Sequence, residues 1–314
     1  MTRQKIIAGI LVFLAAFAAL SFIFFGDKGR GAGTADSGEK LGVIYIEGII
    51  AGGAVDSFLG GIASSEAVMK HIREAAEDPT VKAVVLRIDS PGGTVPATQE
   101  IAREIEKLKE KGKIVVASMG DTGTSGAYWI AAKAHKIFAN PGTITGSIGV
   151  RMDYQNLERL YEKLGIESEV IKSGPYKDMG SPTRELGAEE RKMLQEMVDE
   201  MLKQFIDAVA EGRKISKEKA AELANGRIWT GSQALKLGLI DELGNYYDAI
   251  REAAEMAGIR GEPVIKVYGK TGLLEAFFGG FSQSSGKLGV ERFQWLLIQK
   301  TLGPVMLLLP EELQ

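Results

Sequence analysis

From Leu41 onward, short uncharged runs alternate with stretches of helical periodicity, and this alternation limits the fold more than any other feature of the 314 residues. Val43-Ile44-Tyr45-Ile46 reads as a strand, and Val68, Ile72, Ala75 and Ala76 stripe a helix. Val81 to Ile88 reads as a buried strand, Ile101, Ile105 and Leu108 stripe the next helix, and Ile114-Val115-Val116-Ala117 is a third strand. A helix follows from about Ser125. Strands and helices at this spacing imply βαβ units, hence an α/β fold with right-handed crossovers. A second zone opens near Gly187, where Met193, Leu194, Met197, Val198, Met201, Phe205 and Val209 fall on one face of a long helix. Two shorter helices and the strand-like Arg227-Ile228-Trp229 come after it.

The chain ahead of Leu41 has another character. Ile6 to Phe25 is a 20-residue run without a charge, the length that about 20 apolar residues need to span a bilayer. It is longer than a usual signal-peptide core of about 7–15 residues, and no small-x-small site follows Phe22-Ile23-Phe24-Phe25. It reads as a retained transmembrane signal anchor, with a cleaved signal peptide as the alternative. Arg3 and Lys5 precede it, which keeps residues 1–5 in the cytoplasm and sends the rest outside, although Lys28 and Arg30 work against that orientation. Residues 26–40 form a Gly-rich tether, 41–260 one catalytic-sized domain, and 261–314 an apolar tail broken by Gly279, Gly280 and Pro304.

Composition removes much of the usual chemistry. The absence of Cys excludes disulfides, thiol catalysis and Cys-bound metal. A formal net charge of -3 leaves no basic footprint for nucleic acid. There are 2 His. His135 lies ten residues after Ser125 on what reads as the same helix, roughly 15 Å away at about 1.5 Å per residue, too far for a Ser-His-Asp triad. His71 sits at helical spacing between Val68 and Ala75 and reads as structural. Gly123-Thr124-Ser125-Gly126-Ala127 looks like a nucleophile elbow, but position 127 is not Gly and no His follows His135. HExxH is missing, and Gly269-Lys270-Thr271 has Val264 where a P-loop needs its first Gly. No cofactor and no metal are expected.

Three segments remain. Asp89-Ser90-Pro91-Gly92-Gly93 follows a strand, and its glycines suit either a plain turn or an exposed backbone donor for an oxyanion. Ser125 stands in a run of small residues at a helix start, either as an N-cap or as a nucleophile beside the Gly126 amide. Lys177 lies in the loop Ser173 to Pro182. It is a solvated lysine, or a general base if burial lowers its pKa from about 10.4. Asp178 would oppose that if it paired with Lys177, so its carboxylate is expected to turn away, toward Arg184.

The order SPGG, M-G-x-x-x-x-S-G-x-Y, T-G-S-I-G-V and K-S-G-x-Y-K-D-x-x-S-P-x-R resembles the signal peptide peptidase A (protease IV) family in its short, single-domain form. The resemblance covers roughly residues 41–255, including Asn225-Gly226-Arg227 and Gly238-Leu239-Ile240-Asp241. It implies a Clp protease/crotonase-like fold of repeated ββα units, preceded by one transmembrane helix. It also implies a Ser–Lys dyad, with Ser125 as nucleophile, Lys177 as general base, the amides of Gly93 and Gly126 as oxyanion hole, and Ser147 bonded to the lysine. The expected protein is a membrane-anchored serine endopeptidase acting on remnant signal peptides and other hydrophobic peptides. Family members of this form are homo-octamers that share the dyad between neighbouring protomers. Asp121 and Thr122 are more polar than the small residues usual before the nucleophile, which bears on subsite preference. The alternatives are a crotonase-type acyl-CoA enzyme and a catalytically idle membrane scaffold.

Overall fold

The computed structural model of the chain describes residues 38–53 and 61–269. The expected anchor, tether and most of the apolar tail lie outside the described residues. Among the described residues no helix is long and apolar enough to cross a membrane.

Strand β1 (Lys40–Glu47) and strand β4 (Val81–Ser90) pair in parallel, and β4 pairs in parallel with β5 (Ile114–Thr124). β6 (Lys136–Ala139) and β9 (Glu242–Leu243) extend the same sheet beyond β5. At the other edge, β10 (Val264–Tyr268) lies parallel to β1. The compact domain therefore continues past residue 260, where the sequence suggested that a tail begins. Val264 to Val267 are exposed at this edge, so the segment lacks the two-sided burial that marks the central strands.

Alternate side chains of the central strands feed two cores. Ile44, Ile46, Val84, Leu86, Val115 and Ala117 face helices α1 (Ser65–Glu77), α2 (Val95–Glu110) and α3 (Gly126–Ala132). Leu41, Val43, Val85 and Val116 face α8 (Tyr246–Met256), through Ala249, Ile250, Ala253 and Ala254. Burial on both faces is why these strands read as unbroken apolar runs rather than alternating ones.

Three further pieces matter for the site. A small parallel pair, β2 (Ile49–Ala51) with β3 (Ile62–Ser64), stands beside the end of β4. β7 (Ile144–Gly146) joins the end of β5 and pairs antiparallel with β8 (Ile228–Thr230). Between α4 (Glu158–Leu164) and the long α5 (Ala188–Arg213) runs a stretch of turns. Short helices α6 (Lys217–Leu223) and α7 (Gly231–Lys236) flank β8.

Two expectations change. The helix after Ser125 ends at Ala132, so His135 lies beyond it, where its Nδ1 accepts from the Val115 N–H at 2.9 Å. Burial lowers the His135 pKa, with Lys109 adding to the effect, and this suits a neutral structural imidazole. The apolar stripe of α5 is only partly covered: Phe205 and Val209 are buried, whereas Met193, Leu194, Val198 and Met201 are half-buried and Met197 is exposed. His71 packs beside the residue that follows β10, since a side chain on Gly269 would sit 2.3 Å from its ring, which suits a structural role.

Candidate active site

In open α/β sheets, ligands bind outside the carboxyl ends of the parallel strands. Three such ends converge here. β4 runs into Ser90-Pro91-Gly92-Gly93, β5 into Ser125, and β7 into Ser147, and these segments line one cleft of about 840 Å³.

Ser125 occupies the N-cap place of α3, but its hydroxyl makes no capping bond. Its backbone sits at φ 53, ψ -123, a conformation that costs a non-glycine residue roughly 1–3 kcal/mol and that concentrates at functional sites. The Ser125 N–H donates to Gly146 O at 2.8 Å, which fixes the turn to the neighbouring strand. Ser147 repeats the pattern one strand over, with φ 50 and its N–H on Arg227 O at 2.7 Å.

The glycine turn is built against Ser125. The buried Ser90 hydroxyl accepts from the Gly92 N–H at 3.1 Å. Gly92 has φ 96, and a Cβ there would meet Gly126 N at 2.7 Å and Ser125 Cβ at 2.8 Å. The Ile50 N–H donates to Gly92 O and the Thr94 N–H donates to Ile50 O, both at 2.9 Å. In a parallel bridge the residue between those two bonds turns its own N–H the other way, so Gly93 points its amide away from Ile50. Gly126 is the first residue of α3, and a first-turn N–H has no intrahelical acceptor. A Cβ on Gly126 would lie 3.4 Å from Gly93 N. Two backbone donors therefore stand close together beside the Ser125 hydroxyl, the arrangement that stabilises an oxyanion.

The walls mix polar and apolar surface. Trp129 and Phe205 stack with ring centroids 4.8 Å apart, and Val95, Pro96, Val150 and Met201 add to the apolar part. Arg151 and Asp153 stand at the rim. Among the described residues the cleft is lined by no His and no Lys.

The structure thus brings Ser125, Gly93, Gly126 and Ser147 together, and it leaves Lys177 elsewhere. Lys177 is exposed on the turns between α4 and α5. Its neighbour Asp178 behaves as expected from charge: Arg184 grips it through Nε at 3.0 Å and Nη2 at 2.8 Å, and Lys172 Nζ adds a contact at 2.7 Å. These cations, Arg184 first, hold the Asp178 carboxyl well below the ordinary carboxylate range. Arg184 also binds the buried Glu190 through Nη1 at 2.8 Å, so the turn is tied to the start of α5. Ile50 and Thr98 escaped the sequence reading: Ile50 contributes through its backbone and Thr98 through a hydroxyl, neither of which any motif records.

Residues 107–260 match Peptidase family S49. The matched stretch contains Ser125, Ser147 and Lys177, while Gly93 lies upstream of it. The chain is 47% identical over 221 residues to "Putative protease slr0021" of Synechocystis sp., covering 70% of this chain and 76% of that one. It is 36% identical to "Putative signal peptide peptidase SppA" of Enterococcus faecium, covering 73% and 67%. With "Protease 4" of Salmonella typhi the identity is 38% over 226 residues, covering 72% of this chain but 36% of that longer protein. These relationships set the acyl-CoA alternative aside. Ser125 and the amides of Gly93 and Gly126 share this cleft, and the chain belongs to peptidase family S49 as a serine endopeptidase of the SppA/protease 4 type.

Proposed function

We propose that Ser125 attacks the scissile carbonyl while unprotonated Lys177 takes its proton and passes it to the departing amine as the C–N bond breaks, leaving an acyl-enzyme; Lys177 then takes a proton from the water that hydrolyses the ester and returns it to Ser125. The amides of Gly93 and Gly126 receive the developing oxyanion, each such donor being worth about 2.7–4 kcal/mol. Ser147 orients the lysine. The domain is of the Clp protease/crotonase-like kind, residues 6–25 anchor it in the cell membrane with the catalytic part outside the cytoplasm, and the substrates are cleaved signal peptides and other hydrophobic peptides. The apolar part of the cleft wall, Trp129, Phe205, Val150 and Met201, supports that substrate class.

One observation carries this reading: Ser125 and the amides of Gly93 and Gly126 share a cleft whose described lining has no His and no Lys, in a chain whose Lys177 is exposed elsewhere. The segment around that lysine also carries uncovered apolar side chains, with Leu160, Leu164, Ile166 and Val170 exposed and Ile171 97% exposed. Such a surface calls for a partner, and a second copy of the chain would both cover it and deliver Lys177 to a neighbour's Ser125. The expected assembly is a homo-octamer sharing the dyad between protomers.

The test is complementation between two inactive variants, Ser125→Ala and Lys177→Ala, co-expressed in equal amounts with distinguishable tags. Each variant alone is expected to assemble and to hydrolyse nothing. In the mixed oligomer, random assortment in a closed ring leaves about a quarter of the shared sites intact, so about a quarter of wild-type activity returns. Mixed oligomers that form normally and stay inactive would contradict a shared dyad. Normal turnover by Lys177→Ala would remove the lysine from the mechanism.

A further inference from the structure

The two amides that face Ser125 come from segments far apart in sequence, and something must hold their separation. One side chain reaches both the residue that follows Gly93 and the backbone of Gly126. Thr98 is fully buried on the first turns of α2 and lines the cleft. Its hydroxyl donates to Thr94 O at 2.9 Å, anchoring it to the residue that follows Gly93. On its other side, a Cβ placed on Gly126 would fall 2.4 Å from Thr98 Oγ1. The hydroxyl oxygen thus occupies the space against the Gly126 Cα, and it sits at the junction between the Gly93 and Gly126 segments.

We infer that Thr98 is a positioning residue for the oxyanion site, resting on the reading of Ser125 and the two amides given above. It does not touch the reacting atoms. Its hydroxyl serves as a spacer: the bond to Thr94 O pins it on the Gly93 side, and its oxygen, smaller than a methyl group, sets how closely Gly126 approaches. Oxyanion donors act only when they lie within about 2.7–3.1 Å of the developing charge. A displacement of a few tenths of an ångström at Gly126 is therefore felt in the transition state and hardly at all in substrate binding. Thr98→Val keeps the branching at Cβ but loses the bond and puts a methyl where the oxygen was. Thr98→Ser keeps the hydroxyl and drops the methyl.

The experiment uses the full chain as wild type, Thr98→Ser, Thr98→Val and Ser125→Ala. It measures kcat and KM on an apolar reporter peptide, the inhibition constant of a peptide aldehyde, and the melting temperature. The aldehyde forms a hemiacetal with a serine, which places an oxygen where the oxyanion would stand. Thr98→Ser is expected to stay within about threefold of wild type, while Thr98→Val loses at least about tenfold in kcat with KM within about twofold. Aldehyde affinity should fall with kcat/KM. Wild-type kcat in Thr98→Val would overturn the inference, and so would equal losses in both variants that track their melting temperatures. If Thr98→Val does not fold, Thr98→Ala replaces it with the same expected loss and the same overturning result. Hydrolysis surviving in Ser125→Ala would bring down the nucleophile reading and the inference with it. Its loss there, with unchanged kcat in Thr98→Val, brings down the inference alone.

Discussion

Replacing Gly93 by alanine should cost more catalysis than stability. An added Cβ would lie 1.7 Å from Ile50 O and 2.5 Å from its carbonyl carbon. Contacts under 3.0 Å are not tolerated, so the two backbones must separate by about 1.3 Å. Both flanking bonds, Ile50 N–H to Gly92 O and Thr94 N–H to Ile50 O, are then broken or bent. At about 0.5–1.5 kcal/mol net for each bond, the stability loss is about 1–3 kcal/mol. The Gly93 amide moves by a comparable distance, and a misplacement of about 1 Å can cost about a hundredfold in rate. Losing one oxyanion donor outright costs about a hundred- to a thousandfold in kcat. Peptide hydrolysis measured with thermal unfolding should therefore show kcat down by about two to three decades, KM little changed, and the protein still folded. Gly142→Ala is the control, because nothing lies within 4 Å of a Cβ at that position, and its activity should equal wild type. A Gly93→Ala protein with wild-type kcat would refute the argument that the Ile50 bridge aims this amide.

Other perturbations probe the frame. Arg213, with 7% of its side chain exposed, binds Asp241 through two bonds of 2.8 and 2.7 Å, and Asp241 also accepts from the Ile137 N–H. Arg213→Met strands that carboxylate and should lower stability by about 3–5 kcal/mol in denaturant titration, with little change in KM. Phe205→Ala removes a buried ring stacked on Trp129 and should cost about 3–5 kcal/mol as well as raising KM for apolar peptides. Arg73, through its bonds to Glu104, holds that carboxyl down to about 2, against the opposing effect of burial. A depressed carboxylate pKa stabilises the fold above the unfolded value and loses that contribution as pH falls through the folded one. Unfolding free energy should therefore decline between about pH 4.5 and 2, and Glu104→Gln should flatten that decline. An unchanged acid limb in Glu104→Gln would remove this pair from the acid response.

Much of the frame was legible because burial on both sheet faces leaves an apolar run that needs no context. Val81 to Ile88 and Ile114 to Ala117 sit inside β4 and β5 as expected. β5 continues to Thr124 through Gly120, Asp121 and Thr122, which carry no strand signal and are held by the neighbouring strands. The strand-like Arg227-Ile228-Trp229 overlaps β8, whereas β7 is short and β10 lies at an edge, so tertiary pairing rather than composition defines those two. Residue types alone left Ser125 open as an N-cap or a nucleophile, and the family resemblance grouped it with Gly93, Gly126 and Ser147, which the structure places along one cleft; the direction of Asp178 followed from charge. The site was not legible where a contact works through the backbone: Ile50 aims Gly93 with its N–H and C=O, which every residue possesses. The stripe on α5 was correct as a periodicity, yet Met197 is exposed, because a pattern shows which face is apolar without showing what covers it.

The central claim is that Ser125 forms a covalent acyl intermediate with Lys177 as its base. The most direct measurement is peptide-mapping mass spectrometry of the full-length protein after treatment with a serine-directed phosphonylating peptide. The account predicts one adduct, on the fragment containing Ser125, absent from Ser125→Ala and strongly slowed in Lys177→Ala. An adduct on Ser147 instead, or labelling of Ser125 at the wild-type rate in Lys177→Ala, would contradict it.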